Sequence, residues 1–547
     1  MRNRARTVLT VAGGGTFDNV DSLVGLLLGW FDIAGRNFGS TVRHLSQSST
    51  GFYAGDDWRV SPRLTLSYGV RYDLSTALGE ADDLAANFIP DRGLVRVGDY
   101  LDGLHDVDTN NAGPRAGFAY DLTGDGRTSL RGGYALTYDI PTFGTFHAPF
   151  TNFSGLDARA GAFTQPNLGV FSVSLTGAGR VLPDDPRATC VDPRTGAGDF
   201  VCVTDDVPIF GPNPSGEPPF NAFSVPSDLQ TPKYHYFHLT LQREVFRNNV
   251  ATVAYVGGRG RELNMYRDIN ATPLGSSGRQ EQRPFYPQFP DLGHIIQVTN
   301  DGKSWYESLQ LSYRQNAWRG INTQYNLTLA TCEDFVSVDR GSRSSFPQAS
   351  NPYDPENNRG PCDYDVRANL NAGGVYELPR LGAGRFGSGW EIATVVTALS
   401  GRPFTPNIGS RDQSGQDIGA IRANCNGEIE YSPHDPDNHV VNAPAVFSDP
   451  PAGTLGTCGR NSGRLPGLVQ WDLSVLKNLR LKNDTRIQFR WEVFNLLNRA
   501  NFGLLQSTNV LSSSFGTIGS TPDVDAANPV MSQGGARSMQ WVVKVLF

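Results

Sequence analysis

Six cysteines, eight histidines and a few glycine-rich or acidic clusters are the residues with which this 547-residue chain could do chemistry. Cys190 and Cys202 share one stretch, Cys332 and Cys362 bracket another, and Cys425 and Cys458 share a third. No two have the C-x-x-C spacing of structural zinc sites. Nearest-neighbour pairing is favoured, so three disulfides are expected, each closing one long connection in an oxidising compartment. His235 and His238 would chelate a metal from one face of a helix, but on a strand an offset of three sends them to opposite faces. His434 and His439 flank Asp435 and Asp437, and are read as solvated loop residues in preference to a cation site. Gly382-Ala-Gly384-Arg-Phe-Gly387 matches a dinucleotide-binding pattern that has meaning only when a helix follows. The next segment, WEIATVVTAL at 390–399, reads as strand, so the glycines are read as a turn. DLTGDG at 121–126 lacks the twelve-residue ligand series of a calcium loop and reads as a hairpin turn. With no nucleophile–base pair and no metal cluster, the expectation is a protein without catalysis and without a cofactor.

Composition narrows what must position these residues. The net charge of −7 and a pI near 5.7 supply no basic field for phosphates, so a nucleic-acid partner is not expected. The 61 glycines and 35 prolines argue against a helical bundle. The longest apolar run, residues 23–31, is less than half of the roughly 20 residues a spanning helix needs. Arg2, Arg4 and Arg6 precede an apolar run at 7–12 that falls short of the roughly 7–15 residues of a signal peptide. The start is therefore read as that of an interrupted or excised piece.

Alternation with period two dominates the remainder. Leu64, Leu66, Tyr68, Val70 and Tyr72 alternate with Thr65, Ser67, Gly69 and Arg71; Ile487, Phe489, Trp491 and Val493 alternate with Gln488, Arg490 and Glu492; Met539, Trp541, Val543 and Val545 precede Phe547 at the same spacing. This pattern predicts about 13 strands, at 45–59, 63–74, 111–122, 127–139, 233–245, 250–257, 303–315, 320–332, 363–379, 389–400, 468–481, 485–498 and 537–547, with a possible fourteenth at 5–16. Their connections alternate in length. Short ones fall at 60–62, 123–126, 246–249, 316–319, 380–388 and 482–484; long ones fall at 75–110, 140–232, 258–302, 333–362, 401–467 and 499–536. Sandwiches and propellers do not require every second connection to be long. A transmembrane antiparallel β-barrel does, with short periplasmic turns, long extracellular loops, apolar residues toward lipid and polar ones toward a wet interior. The fold class expected is thus all-β, one partial outer-membrane barrel domain spanning 1–547, in the bacterial cell outer membrane.

The residues also match a known pattern. FYAGDDWRVSPRLTLSYGVRYD at 52–73 resembles a hairpin of TonB-dependent outer-membrane receptors, specifically the Oar-like branch, at Asp57, Trp58, Gly69 and Arg71. GPRAGFAYDLTGDGRTSLRGGYALTYD at 113–139 agrees at Pro114, Arg115, Gly117, Arg131 and Gly132. RLPGLVQWDLSVL at 464–476 contributes Asp472, RWEVFNLLNRANF at 490–502 contributes Asn495, and the final GGARSMQWVVKVLF ends on Phe547. The resemblance implies a 22-stranded barrel holding a plug domain, energised by the TonB complex, that imports a large scarce solute such as a siderophore, oligosaccharide or peptide. A plug and a TonB box are not seen in this sequence, and 13 or 14 strands are fewer than 22, so the chain is expected to be the C-terminal part of such a barrel. The partners expected are the TonB complex, the plug, outer-membrane lipid and an unidentified extracellular solute.

On that reading Arg71, Arg115, Arg131, Arg490 and Glu492 face the interior, where they line a solute path, hold a plug or pair with one another. The aromatic-rich stretch 140–232 either recognises a ligand or packs on itself. Two other classes stay open: a surface or adhesion protein whose barrel anchors its loops, and a plugless passive channel.

Overall fold

The structure, a computed structural model, describes residues 8–10, 30–38, 44–81, 85–98, 101–140, 156–157, 162–163, 171–181, 202–203, 219–246, 248–337, 350–384, 386–418, 421–432, 434–480, 485–525 and 533–546. Thirteen strands form one continuous meander: β1 (Ser49–Ser61), β2 (Leu64–Ser75), β3 (Ala112–Asp121), β4 (Thr128–Tyr138), β5 (Lys233–Phe246), β6 (Asn249–Asp268), β7 (Leu292–Trp318), β8 (Ile321–Asp334), β9 (Ala368–Glu377), β10 (Trp390–Leu399), β11 (Leu468–Arg480), β12 (Arg486–Phe494) and β13 (Ser538–Leu546). Each pairs antiparallel with its sequence neighbour. The turn between β7 and β8 shows why one end stays tight. Arg319 (φ 50°) and Gly320 (φ 81°) are both left-handed, as a two-residue hairpin turn of the I′ kind requires.

Two expectations need correction. The long connection expected at 258–302 is confined to 269–291, because β6 runs on to Asp268 and β7 begins at Leu292, pairing as far as Asp268↔Ile296. Gly258 and Gly260 lie beyond the end of the strand expected at 250–257, whereas here they are paired residues. Buried Met265, Tyr266, Ile295, Ile296 and Val298 reward the extension. The proposed fourteenth strand at 5–16 is not part of the meander: its described residues, Val8–Thr10, pair with Trp30–Phe38 in a separate sheet.

The long connections at the opposite end fold into compact structure. Phe404, Ile408, Ile421, Val440 and Phe447 form a core with Phe515 of the 499–536 connection, whose ring meets Phe447 edge-on at 5.3 Å. Leu78, Leu104, Val225, Leu229, Tyr266 and Val298 form another, drawing the β2–β3 and β4–β5 connections against the extended β6–β7 hairpin.

Candidate functional site

Strand register sorts the side chains into two faces. Trp58, Leu66, Phe118, Gly132, Leu239, Tyr255, Leu309 and Leu329 occupy one cross-strand row over eight strands. In the isolated chain Leu239, Tyr255, Leu309 and Leu329 are 41–48% exposed. Water would penalise such a contiguous apolar band, and hydrocarbon would not. Three residues along the strands, Gln242, Thr252, Ser312, Asn326, Asn371, Thr397 and Gln470 make an unbroken polar row on the opposite face.

Arg71, Arg115, Arg131, Arg490 and Glu492 all lie on that polar face by the same register, yet the structure does not gather them into one cluster. Arg71 is ion-paired with Asp73 at 2.8 Å. Arg490 donates to Gln488 at 2.5 Å and stands 3.9 Å from Glu492. Arg115 and Arg131 have no ion-pair partner among the described residues. They border a concave site of about 810 Å³ that Gly55, Asp57, Gly117, Gly133, Tyr236 and His238 also line.

His235 and His238 do face opposite ways: His235 takes the Tyr134 hydroxyl at 2.8 Å, while His238 lies over Gly133. His439 is not a solvated loop residue. It is buried, with its two ring nitrogens 3.1 Å and 2.9 Å from the carbonyls of Ser432 and Arg464, so the ring braces two loop segments and has no free nitrogen for a cation. Gly382 to Gly387 form a turn closed by Leu381 N–H donating to the Gly387 carbonyl, and a strand follows. The Asp121 carboxylate is occupied by the N–H groups of Gly124 and Gly126, both at 2.9 Å, which leaves it serving the turn.

Two cysteine pairs are bonded in the structure. Cys332–Cys362 closes a connection of 30 residues and Cys425–Cys458 one of 33. The Cys190–Cys202 pair lies outside the described residues. Around the first bond, Arg460 reaches from the 401–467 connection to the carboxylates of Asp334 and Asp363 and the carbonyls of Asn358 and Gly360. Arg464 binds Asp365 at 2.5 Å. Burial holds the Asp334 carboxyl above the usual carboxylate range even with Arg460 beside it. Arg422, buried with no carboxylate partner among the described residues and repelled by Arg460, is lowered to about 10. A second clasp joins His294, Asp268, Asp417 and Arg283, with His294 Nδ1 at 2.6 Å from the buried Asp268. None of these arginine contacts could be read from the sequence, because partners separated by about a hundred residues carry no local signal.

The family-motif residues are largely architectural. Asp57 and Trp58 sit on β1, Pro114 on β3, and a side chain at Gly69 would come within 2.8 Å of the Ala54 carbonyl oxygen. At Gly132 the obstacle is the Phe118 ring. Phe547 lies outside the described residues. Asn495 is the hub: buried, left-handed at φ 51°, it donates to the carbonyls of Arg499 at 2.9 Å and Gly535 at 2.8 Å, and its own N–H meets Asp472 at 2.8 Å. Asn495→Ala should cost about 2–4 kcal/mol in urea unfolding, and Asn495→Gly should regain only the backbone part.

The sequence of residues 4–540 matches the family model described as "Outer membrane beta barrel domain". The chain belongs to that family. This outer-membrane β-barrel is also similar to solved structures. The outer membrane transporter YddB from Escherichia coli shares 12% identity at TM-score 0.46, covering 94% of this chain and 51% of that one. The ferric enterobactin receptor PfeA from Pseudomonas aeruginosa shares 13% at TM-score 0.41, covering 94% and 45%. The ferric preacinetobactin receptor BauA from Acinetobacter baumannii shares 9% at TM-score 0.39, covering 94% and 44%. The chain thus spans about half the length of these structures. No curated protein matches it.

Membership of this family places the chain in the bacterial outer membrane and gives the two faces their solvents. Leu327, near the middle of β8 on the apolar face, pairs with Leu311 and Leu370. Leu327→Arg in the bilayer should cost about 2–4 kcal/mol. Thr328→Arg, one residue along on the polar face, should cost far less. Urea titration of both variants in liposomes reads the difference, and equal losses would contradict this assignment of faces.

Proposed function

We propose that this outer-membrane barrel is the barrel part of a TonB-dependent receptor of the Oar-like branch, taking up a large scarce solute such as a siderophore, oligosaccharide or peptide, without catalysis of its own. The observation that carries the reading is the continuous polar wall of the meander, set beneath long connections that fold into a disulfide-braced cap. Loops on a rigid scaffold are suited to capture, and a polar wall is suited to passage. On this reading the long connections are extracellular and the short turns periplasmic. The five motif segments support the Oar-like branch, and a plug and the TonB complex are the partners it calls for.

The test is deletion of the encoding gene in its native host, followed by growth on limiting iron chelates, oligosaccharides or peptides. Loss of growth on one solute, reproduced by deleting TonB, is expected. Unimpaired uptake of every solute, combined with loss of surface attachment, would replace the receptor by an adhesin.

A further inference from the structure

The polar face of β1–β7 carries a feature that motif reading did not anticipate. Cross-strand pairing sets Gly55, Gly69, Arg115, Ala135, Tyr236, Gly258 and Tyr306 in one row, in which Ala135 and Gly258 separate the long side chains of Arg115, Tyr236 and Tyr306. Arg131 lies four residues away along the sheet, opposite Ala119, which places its Cα about 13 Å below the Arg115 row at strand rise. Between the two arginines the floor is Gly117 paired with Gly133, both lacking side chains. The trough is therefore bounded by two guanidiniums that no carboxylate neutralises among the described residues, with Asp57 and His238 at its sides.

Tyr236 is half exposed into the same concavity, its ring stacked on Tyr234 with centroids 6.1 Å apart. Beyond it Gly258 opens a slot before Tyr306: a Cβ at Gly258 would meet only the Tyr306 Cβ, at 3.8 Å. Guanidiniums bind carboxylates in bidentate fashion, and a tyrosine ring offers a flat apolar surface with a polar tip. A ligand meeting both demands needs ring faces and more than one carboxylate, spaced along an extended scaffold. We propose that this trough binds an acidic oligosaccharide, a short chain of uronate rings, with Arg115 and Arg131 taking carboxylates and Tyr236 stacking on a sugar face. The proposal rests on the receptor reading for its biological sense, but its binding chemistry can be tested separately.

The full chain, folded in detergent micelles and checked for strand content by circular dichroism, is titrated calorimetrically with trigalacturonate, maltotriose and citrate. Trigalacturonate should bind at least tenfold more tightly than either comparison ligand, and its affinity should fall as salt is raised. Arg115→Gln with Arg131→Gln should weaken it at least tenfold, Tyr236→Ala severalfold, and Arg63→Gln, in the β1–β2 turn, should leave it unchanged. Where a variant fails to fold in micelles, retention of fluorescent trigalacturonate by outer-membrane vesicles carrying it gives the same comparison. Absence of trigalacturonate binding, equal binding of citrate or maltotriose, or indifference to the arginine substitutions would overturn the site. Because binding in micelles needs no TonB, loss of the receptor reading with binding intact, or the reverse, would show which of the two has failed.

Discussion

Arg460→Ala should destabilise the cap by about 3–5 kcal/mol, since it strips the partner from a carboxylate that is already out of water. The Asp334 side chain is 2% exposed, and Arg460 also supplies bonds to Asp363 and to the carbonyls of Asn358 and Gly360. The pH dependence identifies the mechanism. The folded-state pKa of Asp334 is raised by burial, so between the unfolded and folded values the native state holds the extra proton, and stability falls as pH rises through that window. Removing Arg460 takes away the main attraction opposing the rise and widens the window upward. The deficit of the variant should thus be greatest at neutral pH and shrink on acidification. Urea unfolding followed between pH 4 and 8 measures it. Arg460→Lys should fall between, because an ammonium keeps the charge and loses the fork. A deficit independent of pH would mean that the lost carbonyl contacts, and not Asp334, carry the effect.

Reduction of the disulfides should have a comparable effect on the same end of the molecule. Closing loops of 30 and 33 residues is worth about 3–4 kcal/mol each in the chain-entropy account. The double variant Cys425→Ser with Cys458→Ser should leave the meander intact, because neither cysteine belongs to its strands. Faster amide exchange is expected across 421–464, where the bond ties together the segment containing Ile421, Ala423, Val440 and Phe447. Strand exchange in β5–β8 should be unaffected. If exchange rose equally throughout, the cap and the sheet would be one cooperative unit.

What could be read in advance follows from the range of the interaction responsible. Alternation is a property of adjacent residues, so β2, β10 and β12 were visible to within a residue or two, except that β12 ends at Phe494 where Asn495 turns left-handed. The opposite orientations of His235 and His238 follow from the same rule. The extension of β6 and β7 has no local signal because the contacts that stabilise it are distant. Tyr266 and Ile296 pack with Leu78, Leu104 and Leu229, residues brought from other connections. The burial of His439 has the same cause, since the carbonyl of Arg464 that fixes it comes from the far end of its own long loop. Strand periodicity identifies Arg115 and Arg131 only as single interior charges. That they share a glycine-floored trough with Tyr236 depends on cross-strand register, which no single strand encodes.

The count of strands in the meander has its own consequence. Thirteen is odd, and with every neighbour reversed, β1 and β13 point the same way along the sheet. Each has one paired side among the described residues. Joining rim to rim would force a parallel seam, in a class of barrels built from antiparallel pairs in even number. A seam of the usual kind must therefore take in an odd number of further strands, so the ring's circumference is governed by arithmetic before any side chain is considered.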